Sequence, residues 1–490
     1  MDIRESADMS KKTRQRSTTQ TIAASLNTDF KRIRTWMLPL ADVTVLFLSI
    51  IIAFFIRLPV YIPHFYDIFI NYTTASLTFP MAIMFYLFLL DGYSPRKRTG
   101  DIKIYLVPLA AIILAALSLA LFYFFIPNWR YGRGVFLLAM AVSLPLLQFN
   151  RILFGMYSRS EVATEKLCLV GMDKSMQYVL KSLRNMPFYR ILGYCARQRN
   201  EEAEERFNIQ YLGTPDDLND IIKRTTNGTT PTIVFDNSSM EEPTDRNLIL
   251  RSIASSLSVD NVAAFYEKTF GKIPIGHTED RWIIHSSGFS VARSHFLHYT
   301  QRLFDVSLSL VMLILSSPLM LFAVVAIKLT SRGPVIYKQD RVGKNNIAFN
   351  IYKFRSMYID AEKKSGAVWS GGSKDPRVTP VGRFLRRSRI DELPQLVNVL
   401  LGHMSLIGPR PERVEFVKTL EEQIPFYFLR AAVKPGITGW AQVLFRYGAS
   451  VEDAAEKLQY DLYYVKNRNM WLNLYILLKT VQTVLLKPGS

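Results

Sequence analysis

Four apolar runs, at about Met37–Ile56, Tyr72–Leu90, Ile104–Ile126 and Val135–Met156, restrict what this chain can become more than any other feature. Each approaches the roughly 20 residues that one helical crossing of a bilayer needs. Hydrocarbon offers backbone groups no partner, so such runs pair their own N–H and C=O groups as helices. Flanking cations orient them. Lys31, Arg32 and Arg34 precede the first run, and Arg96, Lys97, Arg98 and Lys103 lie between the second and third. Arg151, Arg159 and Lys166 close the fourth, whereas the other two loops offer only Arg57, and Arg130 with Arg133. The positive-inside rule then puts both ends of a four-helix unit, residues 34–160, in the cytosol.

Composition requires more than a membrane bundle. Of 490 residues, 49% are hydrophobic but 21% are charged, so substantial soluble domains accompany the helices. The formal charge of +19 suits anionic lipid headgroups or phosphorylated substrates. A nucleic-acid partner is not expected, because the charge accompanies apolar segments and no nucleic-acid motif is present. Cys168 and Cys195 are the only cysteines, which fits a reducing compartment rather than a disulfide framework. Residues 1–33 are polar and basic; they read as a disordered cytosolic tail, with no cleavable signal peptide expected.

Residues 161–293 read as a small α/β domain. "KLCLVGMD", "RILGYCA" and "TPTIVFDN" have strand character, and "SMQYVLKSLRN" and "PDDLNDIIKR" have helical spacing, which together predict a Rossmann-like parallel sheet. A dinucleotide site needs G-x-G-x-x-G after the first strand. Here Gly171 is followed by Met172 and Asp173, so the fingerprint is not intact and a packing or regulatory role is expected. His295 and His298 stand three residues apart without carboxylate companions, and read as interfacial rather than metal-ligating.

A fifth apolar stretch, Ser309–Leu329, carries Ser316-Ser317-Pro318 at its centre. Proline removes a backbone donor, and serine hydroxyls can bond to freed carbonyls, so a bend is expected there. Basic residues flank both ends, with Arg293 and Arg302 before, and Lys328, Arg332, Lys338, Arg341 and Lys344 after. Both ends therefore read as cytosolic, predicting a re-entrant helix-break-helix over about residues 303–330. "NMWLNLYILLKTVQTVLLK", near the C-terminus, has the polar interruptions of an interfacial helix.

Chemistry concentrates in "VGRFLRRSRIDELPQLVNVLLGHMSLIGPRPER". Asp391 and Glu392 precede Leu393-Pro394 and a helical pattern, which predicts Asp391 as an N-cap with Glu392 in the first turn. Two such carboxylates suit Mg²⁺ shared with phosphate oxygens, and a helix start favours phosphate. Arg383, Arg386, Arg387, Arg389, Arg410 and Arg413 exceed what two carboxylates require. On its own the Asp-Glu pair is an ordinary helix-start charge preference; the arginines and the nearby bent apolar stretch point to phosphoryl chemistry.

"LSSPLML", "IYKQDRVGKNNIAFNIYKFRSM", "DPRVTPVGRFLRRSRIDELPQLVNVLLGHMSLIGPRPER", "VKPGITGWAQV" and "YDLYYVKN" occur in this order. With them the segment 294–490 closely resembles the bacterial sugar transferase domain of monotopic phosphoglycosyl transferases. The helices and α/β domain upstream resemble the long form of that family, and the C-terminal part is most similar to exopolysaccharide-type members. The resemblance implies an α-rich catalytic domain on the cytosolic face of a bacterial inner membrane. It implies sugar-1-phosphate transfer from a UDP-sugar to undecaprenyl phosphate with release of UMP, as the initiating step of exopolysaccharide, capsule or O-antigen synthesis. It also implies that Asp391 is the nucleophile forming an aspartyl phospho-sugar, and that Glu392, with Asp391 beside it, holds Mg²⁺. Ser317 and Pro318 match the membrane break. Arg386, Arg410, Arg446 and Asp461 match phosphate-contacting and supporting groups, and Lys353, Lys434 and Gln442 fall loosely in substrate-binding motifs. The lipid bilayer is the expected environment and a homodimer the expected assembly. Two positions depart: His403 replaces the Asp common in relatives, and Leu444 the Asn usual after "AQV"; the latter loosens the alignment of Arg446.

Two other classes share this layout: a membrane-anchored nucleotide-sugar dehydratase or epimerase, and a non-catalytic assembly scaffold. The first requires the glycine fingerprint that the α/β domain lacks. If the resemblance holds, that domain is dispensable for chemistry and a fragment from about Ser294 retains transfer. The sugar itself is not legible, because its contacts depend on pocket shape.

Overall fold

The structure is a computed structural model describing residues 37–57, 73–90, 92–93, 103–127, 132–159, 165–184, 186, 189–225, 231–236, 238–240, 246–247, 250, 252, 257–276, 295–359, 361, 375–445 and 450–486. The expected tail of residues 1–33, and Arg446, lie outside these. The chain divides into two compact units, Met1–Asn261 and Val262–Ser490.

The first unit opens with apolar helices α1 (Met37–Arg57), α2 (Thr73–Leu89), α3 (Lys103–Phe125) and α4 (Arg133–Arg159). By length and composition α1, α3 and α4 suffice to cross a bilayer, while α2, with 17 residues, extends about 25 Å. Leu46, Ile50, Phe79, Ile83, Leu87, Ala111, Ala115 and Leu147 form their shared core. Small residues at 111 and 115 sit one turn apart and permit close helix approach. Arg151, read from sequence as a flanking charge, is buried. It donates to Asp42 of α1 at 2.7 Å, and Asn150 and Tyr93 donate to the same carboxylate at 2.6 and 2.9 Å.

The α/β sheet is wholly parallel, in the order β3-β2-β1-β4-β5. Its strands are β1 (Glu165–Val170), β2 (Tyr189–Cys195), β3 (Tyr211–Gly213), β4 (Thr232–Phe235) and β5 (Ser258–Asn261). Helices α5 (Lys174–Leu183), α6 (Glu201–Phe207) and α7 (Leu218–Thr225) lie between successive strands. After β1, Gly171 takes φ +85°, and a Cβ there would lie 2.1 Å from the Asp236 carboxyl group. Asp236 accepts from Asp173 N, Ser239 N and Ser239 Oγ at 3.0, 2.9 and 2.6 Å. Carboxylate thus occupies the turn where a dinucleotide fold approaches pyrophosphate.

The second unit starts earlier than the sequence reading placed its catalytic domain. Helix α8 (Val262–Phe270) and residues 271–276 belong to it. Ile273 is fully buried with Leu420, Ile424, Tyr427, Leu458 and Leu462. Its N–H donates to Gln459 O at 3.0 Å, and Gly271 O accepts from Trp440 Nε1 at 2.7 Å. Glu267 receives Lys466 Nζ at 2.6 Å and Asn467 Nδ2 at 2.7 Å. Strand–helix alternation continues through this segment, so sequence alone did not show which core it joins. The cut for a catalytic fragment therefore moves to residue 262. A fragment from 294 loses a buried isoleucine and leaves Lys466 without its carboxylate. Its melting temperature should lie about 5–15 °C below that of a fragment from 262. Equal melting temperatures by calorimetry in the same detergent would show that residues 262–276 contribute nothing to this core.

Helix α9 spans His295–Thr330, with Pro318 inside. At the proline a neighbouring side chain takes over the lost backbone bond. Pro318 cannot donate to Ile314 O, and Ser317 Oγ donates to that carbonyl instead, at 2.8 Å. Both flanks of α9 pack on this unit. Gln301, Asp305 and Ser309 are buried at one end and Ala323 and Ile327 at the other. Between them Leu310, Val311, Ile314, Leu315, Leu319, Leu321 and Phe322 are exposed.

The remaining elements are a hairpin of β6 (Ile336–Val342) and β7 (Ala348–Phe354), then α10 (Pro380–Arg387), α11 (Gln395–Leu401), β8 (Ser405–Ile407), α12 (Val414–Gln423), β9 (Gly436–Thr438), α13 (Trp440–Leu444), α14 (Val451–Asn467) and α15 (Met470–Leu486). Strands β8 and β9 pair in parallel. Their approach explains the glycines of "LIGPRP" and "KPGITG": a Cβ on Gly408 would lie 2.3 Å from Lys434 O, and one on Gly436 2.1 Å from Gly408 N.

Candidate active site

Asp391 and Glu392 lie in a 3₁₀ turn, Ile390–Glu392, not at the start of an α-helix. Arg389 enters this turn in the left-handed region, φ 59°, which is uncommon for a residue with a side chain. The N–H groups of Glu392 and Leu393 bond to Arg389 O and Ile390 O at 3.2 and 3.1 Å. Helix α11 begins only at Gln395, behind Pro394, without a side-chain cap. The expected N-cap role of Asp391 is therefore replaced: the turn holds two carboxylates side by side and uses its own amides.

Glu392 is the paired member. Arg410 Nη2 donates to Glu392 Oε1 at 2.6 Å, and Lys353 Nζ, from β7, stands 3.6 Å from the same oxygen. Arg389 Nη1 is 3.9 Å from Oε2. Burial alone would raise this carboxyl, but Arg410, Lys353 and Arg389 outweigh it and hold Glu392 well below the usual carboxylate range. Asp391, only 8% exposed, goes the other way. Burial, then the Glu392 charge, push it up to about 6 against the pull of Lys353, Arg386 and Arg410. Burial, partly opposed by Glu392, lowers Lys353 to about 8. Two neighbouring carboxylates thus carry different proton affinities, the pattern by which sites divide roles.

A second network supports the first. Arg430 Nη2 donates to Asp461 Oδ2 at 2.9 Å and to Arg410 O at 2.8 Å, while Nη1 donates to Tyr427 OH at 2.5 Å. Lys457 Nζ bonds Glu412 Oε1 at 2.7 Å, and with Arg430 it brings Glu412 down to about 2 against the burial that would raise it. Arg341 Nη1 donates to Pro411 O at 3.2 Å. The Pro409–Glu412 segment is consequently held by cations along its backbone, and Arg410 is aimed at Glu392.

Most of the residues expected from sequence gather here. Arg386 reaches Ser356 Oγ through Nε at 2.9 Å and acts electrostatically on Asp391. Gln442 Oε1 accepts from Arg410 Nη1 at 3.2 Å. Asp461 reaches the site through Arg430. Ser317 and Pro318 lie in α9, and Lys434 lies elsewhere, beside Arg302 and Gly402. Sequence reading missed Arg430 and Tyr427, whose stretch "FYFLRAAV" looks like core, and Gln395. The amide nitrogens of Gln395 and Gln442 are buried without a partner among the described residues. Donors of that kind suit phosphate oxygens.

Among the described residues, no group of three or more His, Cys, Asp or Glu is arranged for a metal ion. Mg²⁺ needs only one or two carboxylates when a substrate phosphate completes its shell. Asp391 and Glu392 Oε2, whose ion-pair partner among the described residues is Arg389 at 3.9 Å, fit that requirement.

The profile of the family described as bacterial sugar transferase matches residues 296–487. The chain is 42% identical over 242 residues to a UDP-N-acetylgalactosamine-undecaprenyl-phosphate N-acetylgalactosaminephosphotransferase of Aeromonas hydrophila, covering 49% of this chain and 56% of that protein. It is 41% identical over 183 residues to the UDP-glucose:undecaprenyl-phosphate glucose-1-phosphate transferase of Escherichia coli (strain K12), covering 37% and 39%. A protein bearing the same description in Xanthomonas campestris pv. campestris is 30% identical over 337 residues, covering 66% and 67%. The matched stretch thus spans about half the Aeromonas protein and about two thirds of the Xanthomonas one.

Proposed function

This chain belongs to the bacterial sugar transferase family, and we propose on that basis that it transfers sugar-1-phosphate from a UDP-sugar to undecaprenyl phosphate, releasing UMP. The observation that carries this reading is the buried Asp391–Glu392 pair, in which cations hold one carboxylate ionised while the other is pushed up to about 6. An Asp391 oxygen bonds to the phosphorus next to the sugar as the bond to UMP breaks, giving an aspartyl phospho-sugar. An oxygen of the polyprenyl phosphate then bonds to that phosphorus, and the Asp391–phosphorus bond breaks to restore the carboxylate. Arg410, Arg386 and Lys353 offset the charge of the diphosphate, and Glu392 fixes Arg410 and Lys353 in place. Mg²⁺, when held by Glu392 and Asp391, would supply further charge neutralisation on the diphosphate.

The membrane placement follows the same chemistry. Both flanks of α9 bond to one folded unit. Gln301 Nε2 donates to Ser405 Oγ at 2.9 Å, and Arg355 donates to Arg332 O and Ser331 O at 2.7 and 2.9 Å, just beyond the other end. A crossing would separate those attachments by about 30 Å of hydrocarbon. The exposed apolar middle, Leu310–Phe322, fits a re-entrant helix reaching the inner leaflet, with both soluble parts on the cytosolic face of the bacterial inner membrane. A membrane-impermeant label should reach Lys344 only from the cytosolic side, as at Lys97. Periplasmic labelling of Lys344 would establish a full crossing. A homodimer is part of this reading, checked by the mass of the detergent-solubilised particle.

UMP release from a panel of UDP-sugars, with and without polyprenyl phosphate, tests the activity. A dehydratase or epimerase would alter the sugar without releasing UMP, and Asp236 already fills the turn such an enzyme needs. A scaffold would leave every donor intact.

A further inference from the structure

Lys434 does not join the cations around Asp391. Its ammonium stands over Gly402, the residue with φ +85° that ends α11. A Cβ on Gly402 would lie 3.6 Å from Lys434 Nζ and 3.7 Å from Arg302 Nη2, so both cations border this glycine. Arg302 is fixed there by donating through Nη1 to Val399 O at 2.5 Å and through Nη2 to Leu400 O at 2.7 Å. Lys344, in the β6–β7 hairpin, is a third cation within electrostatic reach. Neither lysine ammonium has a hydrogen-bond or ion-pair partner among the described residues. Exposed His403 follows Gly402, its ring 6.0 Å from that of Phe349. The acid within reach is Asp305, buried and already accepting from Ser405 Oγ and Leu406 N at 3.1 and 3.0 Å. Burial, then Arg302 and Lys344, lower the Lys434 pKa, and Asp305 opposes them only in part.

The surroundings indicate which anion. Leu303, Ile347 and Leu401, next to or near these cations in the chain, are 70%, 67% and 56% exposed. Arg302 lies eight residues before Leu310, where the exposed apolar part of α9 begins. Cations bordered by apolar surface at a membrane boundary match a charged headgroup above an acyl chain. We propose that Arg302, Lys344, His403 and Lys434 form a notch around Gly402 that binds the phosphate of an anionic lipid. It rests on α9 entering the bilayer, and is independent of the chemistry at Asp391. A phospholipid headgroup and a polyprenyl phosphate share the required chemistry.

The test is binding by the full-length protein in neutral detergent, followed by native mass spectrometry. Dioctanoyl phosphatidylglycerol, farnesyl phosphate, dioctanoyl phosphatidylcholine and inorganic phosphate are titrated separately. Lys434→Glu should weaken binding of an anionic lipid by about tenfold or more, Lys344→Glu by less, and Lys434→Arg should preserve it. A loss confined to phosphatidylglycerol assigns a phospholipid headgroup, one confined to farnesyl phosphate assigns a prenyl phosphate, and a loss for both assigns any lipid monoester or diester phosphate. If Lys434→Glu fails to fold, Lys344→Glu on the hairpin decides. Unchanged lipid binding in a folded glutamate variant overturns the proposal, as does equal affinity for phosphatidylcholine or for inorganic phosphate. Because binding is read without turnover, failure here leaves the transfer reaction untouched, and an inactive enzyme leaves the notch testable.

Discussion

Asp391→Asn should abolish transfer, lowering turnover by on the order of 10⁴-fold or more, because an amide cannot supply the attacking oxygen. With labelled UDP-sugar and no polyprenyl phosphate, the wild type should retain phospho-sugar on the peptide containing Asp391, and the variant should retain none. Glu392→Gln should still form the adduct, but slowly and with weakened Mg²⁺ dependence, since Arg410 and Lys353 lose the carboxylate that positions them. An adduct that survives Asp391→Asn would move the nucleophile elsewhere. Protonation gives the same assignment a pH signature. A carboxyl raised to about 6 is neutral, and inactive as a nucleophile, below that pH. Lys353, lowered to about 8, loses its charge above it. The rate of adduct formation should therefore fall on both sides of a window between about 6 and about 8, and a cation beside Asp391 shifts the acidic limb lower. An acidic limb centred above 7 contradicts the assignment.

Asp461→Asn should destabilise the second unit strongly. Arg430 is buried, and Asp461, itself buried, is its 2.9 Å ion-pair partner. Removing Asp461 leaves the buried Arg430 with Glu412 as its carboxylate, at 4.0 Å, so the cost falls at the low end of a broken buried pair, about 3 kcal/mol. For a unit of this size that corresponds to a drop of about 10 °C in melting temperature. Activity should fall further than the folded fraction, because Arg430 also holds the Arg410 backbone that aims at Glu392. The double variant Asp461→Asn with Arg430→Met removes the stranded charge and should recover part of the stability without the activity. If the single variant melts like the wild type, the Arg430–Asp461 pair is not what holds the Pro409–Glu412 segment.

Which of these features could be read in advance depended on whether their cause is local. Apolar length and flanking charge located the four N-terminal helices, since a bilayer imposes the same requirement on any sequence. Strand and turn signals located the parallel sheet. The Asp391–Glu392 pair stood out only against its arginines, and its role came from resemblance. What escaped was decided by distant partners. Asp391 had the spacing of an N-cap until Arg389 opened a separate turn. Arg430 sits in an apolar stretch and gains meaning only through Asp461, 31 residues later. Lys434 belongs to a motif close in sequence to the Asp391–Glu392 stretch, yet the β8–β9 pairing puts its ammonium by Gly402. Residues 262–276 continue the periodicity of the preceding domain, and only the burial of Ile273 shows whose core they complete.

The attachments of α9 also set an order in time. Arg302 is held by Val399 and Leu400, and Gln301 by Ser405, which follow them by 97, 98 and 104 residues. At ribosomal rates of about 5–20 residues per second, roughly 5–20 s separate the appearance of the helix from that of its anchors. Throughout that interval the nascent segment is an apolar stretch long enough to traverse the bilayer, and the partners of Gln301 and Arg302 are not yet made. The bonds that fix Gln301 and Arg302 to this unit consequently form only after synthesis has moved on.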